Sequence, residues 1–304
     1  MEFYKKLLKK SVSKNIQKLK IIFFVFFILF FFYFDERKFS NSNQIILDTN
    51  IGNNQGFHPK VISFPNLWNG YKYWLVYTPY PNANCEKENP TINVSNDLIK
   101  WITPRGCHNP LDIPNNPGIN HYNSDTHLLY NMDTKELEIF WRYVNIENNN
   151  IIIYKKTTKN GINWSKKIIF LISQNRLELD YMSPSIIYEN KIYKIWYINK
   201  NKIYFIEKNG DFISNPRILN INYKSKYNAW HFDLIYNREK KLYELVSCIY
   251  INEKNYRKMP LYYTSSKDNL NWDKPVLITL ISSEKYVNIH LIYNIKKGYE
   301  TFKK

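Results

Sequence analysis

His58-Pro-Lys-Val-Ile-Ser63 opens a phrase that the chain repeats as Asp125-Thr-His-Leu-Leu-Tyr130, Ser183-Pro-Ser-Ile-Ile-Tyr188, His231-Phe-Asp-Leu-Ile-Tyr236 and Asn288-Ile-His-Leu-Ile-Tyr293. Each copy is a polar start followed by an apolar pair, and the last four close on Tyr. The starts lie 67, 58, 48 and 57 residues apart, a blade-sized interval. After each phrase a short polar turn leads to a second aromatic-rich run: Tyr71 to Tyr77, Leu137 to Tyr143, Ile192 to Ile198, Leu242 to Ile249 and Tyr299 to Phe302. Five such hairpins predict an all-β fold, a five-bladed β-propeller spanning residues 44–304.

A second repeat keeps the same register. Ser95-Asn-Asp-Leu-Ile-Lys-Trp101, Thr158-Lys-Asn-Gly-Ile-Asn-Trp164 and Ser266-Lys-Asp-Asn-Leu-Asn-Trp272 share a hydroxyl start, an Asp/Asn centre and a terminal Trp. They resemble the Asp-box of sialidase-type propellers. Asp and Asn bond their own backbone in a tight turn while Trp packs into the blade, so the motif closes an outer hairpin and is structural.

The composition agrees with one large domain. Tyr (26), Phe (18) and Trp (8) supply an aromatic core, while 8 Gly and 4 Met exclude a glycine-rich chain. The formal charge of +17 is carried mainly by Lys scattered through turns; seven Arg and no recognisable nucleic-acid motif argue against a nucleic-acid partner.

The amino terminus is different in kind. Residues 1–20 are basic, the run Ile21 to Phe34 is wholly apolar, and Asp35 and Glu36 follow it. Basic residues before the run and acids after it predict a cytoplasmic end, a transmembrane signal anchor over 21–34, a linker over 35–43 and an extracellular propeller. Its 14 residues also fit a signal-peptide core, which leaves a secreted product as the alternative. Ile45 to Leu47 are expected to pair with the incomplete fifth blade and close the ring. Cys85 and Cys107 flank one strand and its loop, where an exported protein can pair them, and Cys248 reads as core.

In an antiparallel meander the inner-strand starts gather on one rim, opposite the Trp-ended turns. That rim holds His58, Asp125, Ser183, His231 and Asn288, with Lys60, His127, Ser185, Asp233 and His290 two residues on. Glu88-Asn-Pro90 enters there before a third strand, and Glu178 and Asp180 arrive from the connection into blade three. With His58-Pro, Tyr73-Trp-Leu-Val-Tyr-Thr-Pro79, Glu88-Asn-Pro90 and Asn93-Val-Ser-Asn-Asp97, the chain resembles the five-bladed propeller glycoside hydrolases of families 43, 62, 32 and 68 over residues 55–295. The resemblance implies three carboxylates as base, pKa-tuning group and acid, but the first of these positions holds His58.

Glycoside hydrolysis needs one protonated and one ionised carboxyl across a sugar ring. Glu88 and Asp125 are the expected catalytic pair, with Asp180 tuning them, and His58, His127, Trp230, His231 and Arg142 binding a polysaccharide or oligosaccharide. Trp68 is a further stacking candidate. Four imidazoles with Asp125 and Asp233 are metal-ligand types, yet no local His pair exists, so the reading calls for orienting hydrogen bonds and no metal or cofactor. A non-catalytic glycan-binding propeller is the alternative. A sialidase, which needs an arginine cluster to grip the substrate carboxylate, fits less well, since only Arg142 and Arg105 stand near.

Overall fold

In the computed structural model, the described residues are 47, 51, 56–173, 180–223, 227–250 and 260–280. They form four antiparallel sheets. The first is β1 (Gly56–Trp68), β2 (Tyr71–Pro79) and β3 (Thr91–Ser95); the second is β4 (His121–Asn131), β5 (Glu136–Asn145), β6 (Asn150–Thr158) and β7 (Ile168–Ser173). The third is β8 (Met182–Glu189), β9 (Ile192–Asn199) and β10 (Lys202–Asn209), whose outer edge is shared by two short strands, β11 (Phe212–Ile213) and β12 (Arg217–Ile218). The fourth is β13 (Asn228–Asn237), β14 (Leu242–Tyr250), β15 (Pro260–Ser266) and β16 (Val276–Leu280).

The fold is an all-β propeller with four blades among the described residues. The fifth phrase, its partner strand Tyr299 to Phe302, the residues 45–46 of the closing strand, His290, Glu178 and the apolar run 21–34 lie outside them. Leu47 is buried, and its side chain lies where a Cβ on Gly56 would meet it, at 3.3 Å. Among the described residues no helix is long and apolar enough to cross a membrane.

Second strands carry nearly continuous buried runs rather than alternation, because both faces of a blade are covered by its neighbours. Trp74, Trp141 and Trp196 are completely buried there, and each indole N–H finds an acceptor: Trp68 O, Asn123 Oδ1 and Asn269 Oδ1. Truncating one of these rings to Ala costs about 3–5 kcal/mol. Trp68 belongs to the same core, stacked on Phe64 and edge-on to Trp74, at the end of β1 away from the inner-strand starts. It is therefore packing, and the expectation of a sugar platform there is corrected.

Blade one lacks a fourth strand among the described residues, and a loop takes its place. Ile102 bridges Val94, and the Asn109 side chain imitates a strand by accepting from Ile92 N–H at 3.0 Å and donating to Ile92 O at 2.8 Å. The three cysteines are free, and Cys107 is buried with its thiol on the His108 carbonyl.

Side chains tie the inner strands to one another. Thr126 Oγ1 donates to His58 O, the His127 ring meets the Ile186 backbone, and Ser185 Oγ donates to Leu234 O. Lys60 Nζ reaches from β1 to Asp233 Oδ1 of β13 at 2.6 Å, with both residues buried.

Candidate active site

Each of the four described inner strands is irregular at the same place. Two residues face one on the partner strand at His58-Pro59, Asp125-Thr126 and Ser183-Pro184, and β13 has one extra residue, Trp230, before His231. These are β-bulges, which re-aim side chains. His58, Asp125 and Ser183 take left-handed φ values of 49°, 44° and 50°. Such backbone costs a non-glycine residue about 1–3 kcal/mol and persists where the surroundings hold it. The bulge in β13 leaves Trp230 partly exposed, its ring edge-on to His231.

The bulges bring His58, Asp125 and His231 together. His58 Nε2 is 3.3 Å from Asp125 Oδ1 and His58 Nδ1 is 3.4 Å from Glu88 Oε1, so one imidazole stands between the two carboxyls expected to do the chemistry. The His58 and His231 rings are 4.9 Å apart, and His231 Nδ1 is 3.9 Å from Asp125 Oδ1. One ligand atom from each of His58, Asp125 and His231 falls within 4.8 Å of the others.

Glu88 arrives on the loop between β2 and β3, and buried amides hold it. Asn123 donates to Asn89 Oδ1 at 3.0 Å and accepts from Trp141 at 3.1 Å, which fastens the loop to blade two two residues before Asp125. Burial pushes the Glu88 carboxyl up, more than its bond to His58 draws it down. Burial would also raise Asp125, but the charges of His58, Arg142 and His231 outweigh it and hold this carboxyl below the usual range. For His58, burial alone would lower the pKa; Asp125 and Glu88 together raise it. Two carboxyls pushed apart in pKa around one histidine form an acid/base constellation.

Arg142 is buried beneath Asp125, with Nη1 3.9 Å from Oδ2, Nη1 donating to Ser124 Oγ and Nε donating to the Asp180 carbonyl. It is placed as a charge partner of Asp125. The Asp180 carboxylate accepts from Ser173 Oγ and from Tyr181 N–H, so Asp180 meets the site through its backbone carbonyl. His127, with Lys60 and Asp233, lines a cavity of about 20 Å³ that His58, Asp125 and Ser183 also line, room for one water. Sequence reasoning placed Asn123 nowhere and named Ser183 without a role.

Comparison with known proteins supplies the fold's company. No family model matches the chain. An A type blood N-acetyl-α-D-galactosamine deacetylase of Flavonifractor plautii is 23% identical across 76% of this chain and 36% of its own length, so the chain spans about a third of that relative. The solved structure of an N-acetylgalactosamine deacetylase from F. plautii, in complex with blood group B trisaccharide, matches with a TM-score of 0.65 and 22% identity over 74% of this chain and 71% of that one. An exo-β-1,3-galactanase from Phanerochaete chrysosporium with galactose matches at 0.54 and 12%, covering 78% and 54% of the two chains. An exo-1,5-α-L-arabinanase from a bovine ruminal metagenomic library matches at 0.51 and 16%, covering 75% and 80%. These neighbours are carbohydrate-active propeller enzymes, and the likeness shows the fold.

Proposed function

We propose that this chain is a glycan-active hydrolase that removes the acetyl group from an N-acetylated amino sugar, using a divalent cation held by His58, Asp125 and His231. The observation that carries this reading is the meeting of two imidazoles and a depressed carboxylate at one rim, beside a carboxyl raised by burial. Ligands about 2.1 Å from a tetrahedral ion stand about 3.4 Å apart, and the 3.3 Å between His58 Nε2 and Asp125 Oδ1 is of that size. The surroundings also fit: Asp125 accepts from Ser124 Oγ and Ser183 N–H, and His58 Nδ1 faces Glu88, the carboxylate–histidine arrangement that orients metal ligands. The deacetylases among the matched proteins support the substrate class.

A bound cation supplies Lewis-acid polarisation and a lowered water pKa. The residues of the chain do the rest. Glu88 takes a proton from the attacking water and delivers it to the amide nitrogen, so the C–N bond breaks and acetate and a free amine leave. Arg142 keeps Asp125 ionised. Trp230 offers a partly exposed ring beside His231 for the apolar face of the sugar.

The Glu88 and Asp125 pair, with pKa values driven apart, also favours a second reading as a glycosidase. Assay of the purified chain with terminal N-acetylhexosaminides, with and without chelator, separates the two. Chelator-sensitive acetate release is expected; new reducing ends without acetate would overturn deacetylation in favour of glycosidase action. The charge pattern of residues 1–36 supports anchoring at the cell surface with the propeller outside. Protease treatment of intact cells is then expected to release the propeller, and its survival until lysis would overturn that orientation.

A further inference from the structure

Ser183 occupies the same bulge position in β8 as His58 in β1 and Asp125 in β4, and shares their left-handed backbone. A glycine would sit there without strain. Strain retained at a position equivalent to two site residues points to a side chain that the site uses.

The contacts show which use. Ser183 N–H donates to Asp125 Oδ1 at 3.1 Å, and Ser183 Oγ lies 3.5 Å from the same oxygen and 2.5 Å from His231 Nδ1. A hydroxyl can accept one hydrogen bond while donating another. With His231 Nδ1–H donating to Ser183 Oγ and the hydroxyl donating to Asp125, the tautomer of His231 is fixed and its Nε2 keeps the lone pair that a cation requires. The backbone amide meanwhile fixes the Asp125 carboxylate in rotation.

We infer that Ser183 is a positioning residue that sets the orientation of both Asp125 and His231 and selects the His231 tautomer. The inference rests on the deacetylase reading for its purpose, but its geometry stands apart from it.

Substitution by glycine separates this role from a structural one. Ser183→Gly relieves the backbone and keeps the amide donor while deleting the hydroxyl. The expected result is a Tm equal to or above that of the unsubstituted protein, together with a Zn2+ dissociation constant, measured by chelator competition, weakened about 10–100-fold. Ser183→Ala, which retains the strain, is expected to weaken Zn2+ to a similar degree without the gain in Tm. Histidine 15N chemical shifts of the metal-free chain give an independent readout, since His231 Nδ1 is expected to lose its hydrogen-bonded shift in both variants. Unchanged His231 shifts in Ser183→Gly would overturn the inference even if the enzyme deacetylates. Shifted His231 in a chain that binds no Zn2+ and releases no acetate would uphold it and overturn the functional reading.

Discussion

Two places recur among the described blades, the inner-strand start in all four and the Trp-ended turn in three, and they have been treated in opposite ways. At the turns the chemistry is held constant. Ser95, Thr158 and Ser266 accept from the N–H groups two and three residues on, while Asp97, Asn160 and Asp268 accept from the next two. Even the left-handed residue recurs, as Leu98, Gly161 and Asn269. At the inner-strand starts the backbone irregularity recurs while the side chain changes from His to Asp to Ser to His. A repeat that preserves its hydrogen bonds is holding the fold; a repeat that preserves a bulge and varies the side chain is building a site.

The largest effect is expected at the rim. Glu88→Gln removes the proton carrier while keeping shape, and deacetylation is expected to fall about 10²–10⁴-fold with Tm little changed; a matching loss of Tm would show a structural residue instead. Gly161→Ala breaks the other side of the comparison. A Cβ there would lie 2.0 Å from the Trp74 ring at φ +72°, so a loss of about 2–6 kcal/mol is expected by urea unfolding. Trp230→Ala is expected to raise KM about 10-fold with kcat unchanged, as the loss of uniform substrate binding does; a fall in kcat alone would place the ring in the chemistry.

The smallest effect sharpens the comparison within the turns. Backbone N–H donors, Asn271 first, hold the exposed Asp268 carboxyl below its usual range, and the N–H groups of Lys100 and Ile99 do the same for Asp97. A depressed folded pKa adds stability above the unfolded value of 3.8 that is lost as pH falls through the folded one. Asn160 shows that an amide makes the same turn. Asp268→Asn is therefore expected to lower Tm slightly at neutral pH, with the difference narrowing as pH falls from 3.8 toward the depressed folded pKa and vanishing only below the latter. A difference that persists there would mean that charge is not the cause.

Blade hairpins were readable because the repeated phrase, the Asn/Lys turns and the aromatic-rich runs are local signals, and the described second strands start within one residue of those runs. The convergence of His58, Glu88, Asp125 and His231 on one rim followed from the meander. The bulges did not, since a one-residue slip leaves no compositional mark, and without them the residues after His58, Asp125 and Ser183 change faces. The tie from Trp141 through Asn123 to Asn89 was equally silent, because a buried amide pair looks in sequence like any polar strand residue. Arg142 and Asp180 were found as names, but the contact that joins them is a backbone carbonyl, which no residue type announces. In blade one an amide side chain completes the sheet edge, and loop residues at Asn109 gave no strand signal.

The ion pair between Lys60 and Asp233 joins positions 173 residues apart. During synthesis the first blade leaves the ribosome long before its counter-charge exists, and an ammonium enclosed without a partner costs several kcal/mol. The Lys60 side chain must therefore stay hydrated until β13 emerges. Blade one can form its hairpin early, but its inner edge is sealed only by a late event, which makes the commitment of this fold depend on how far translation has run.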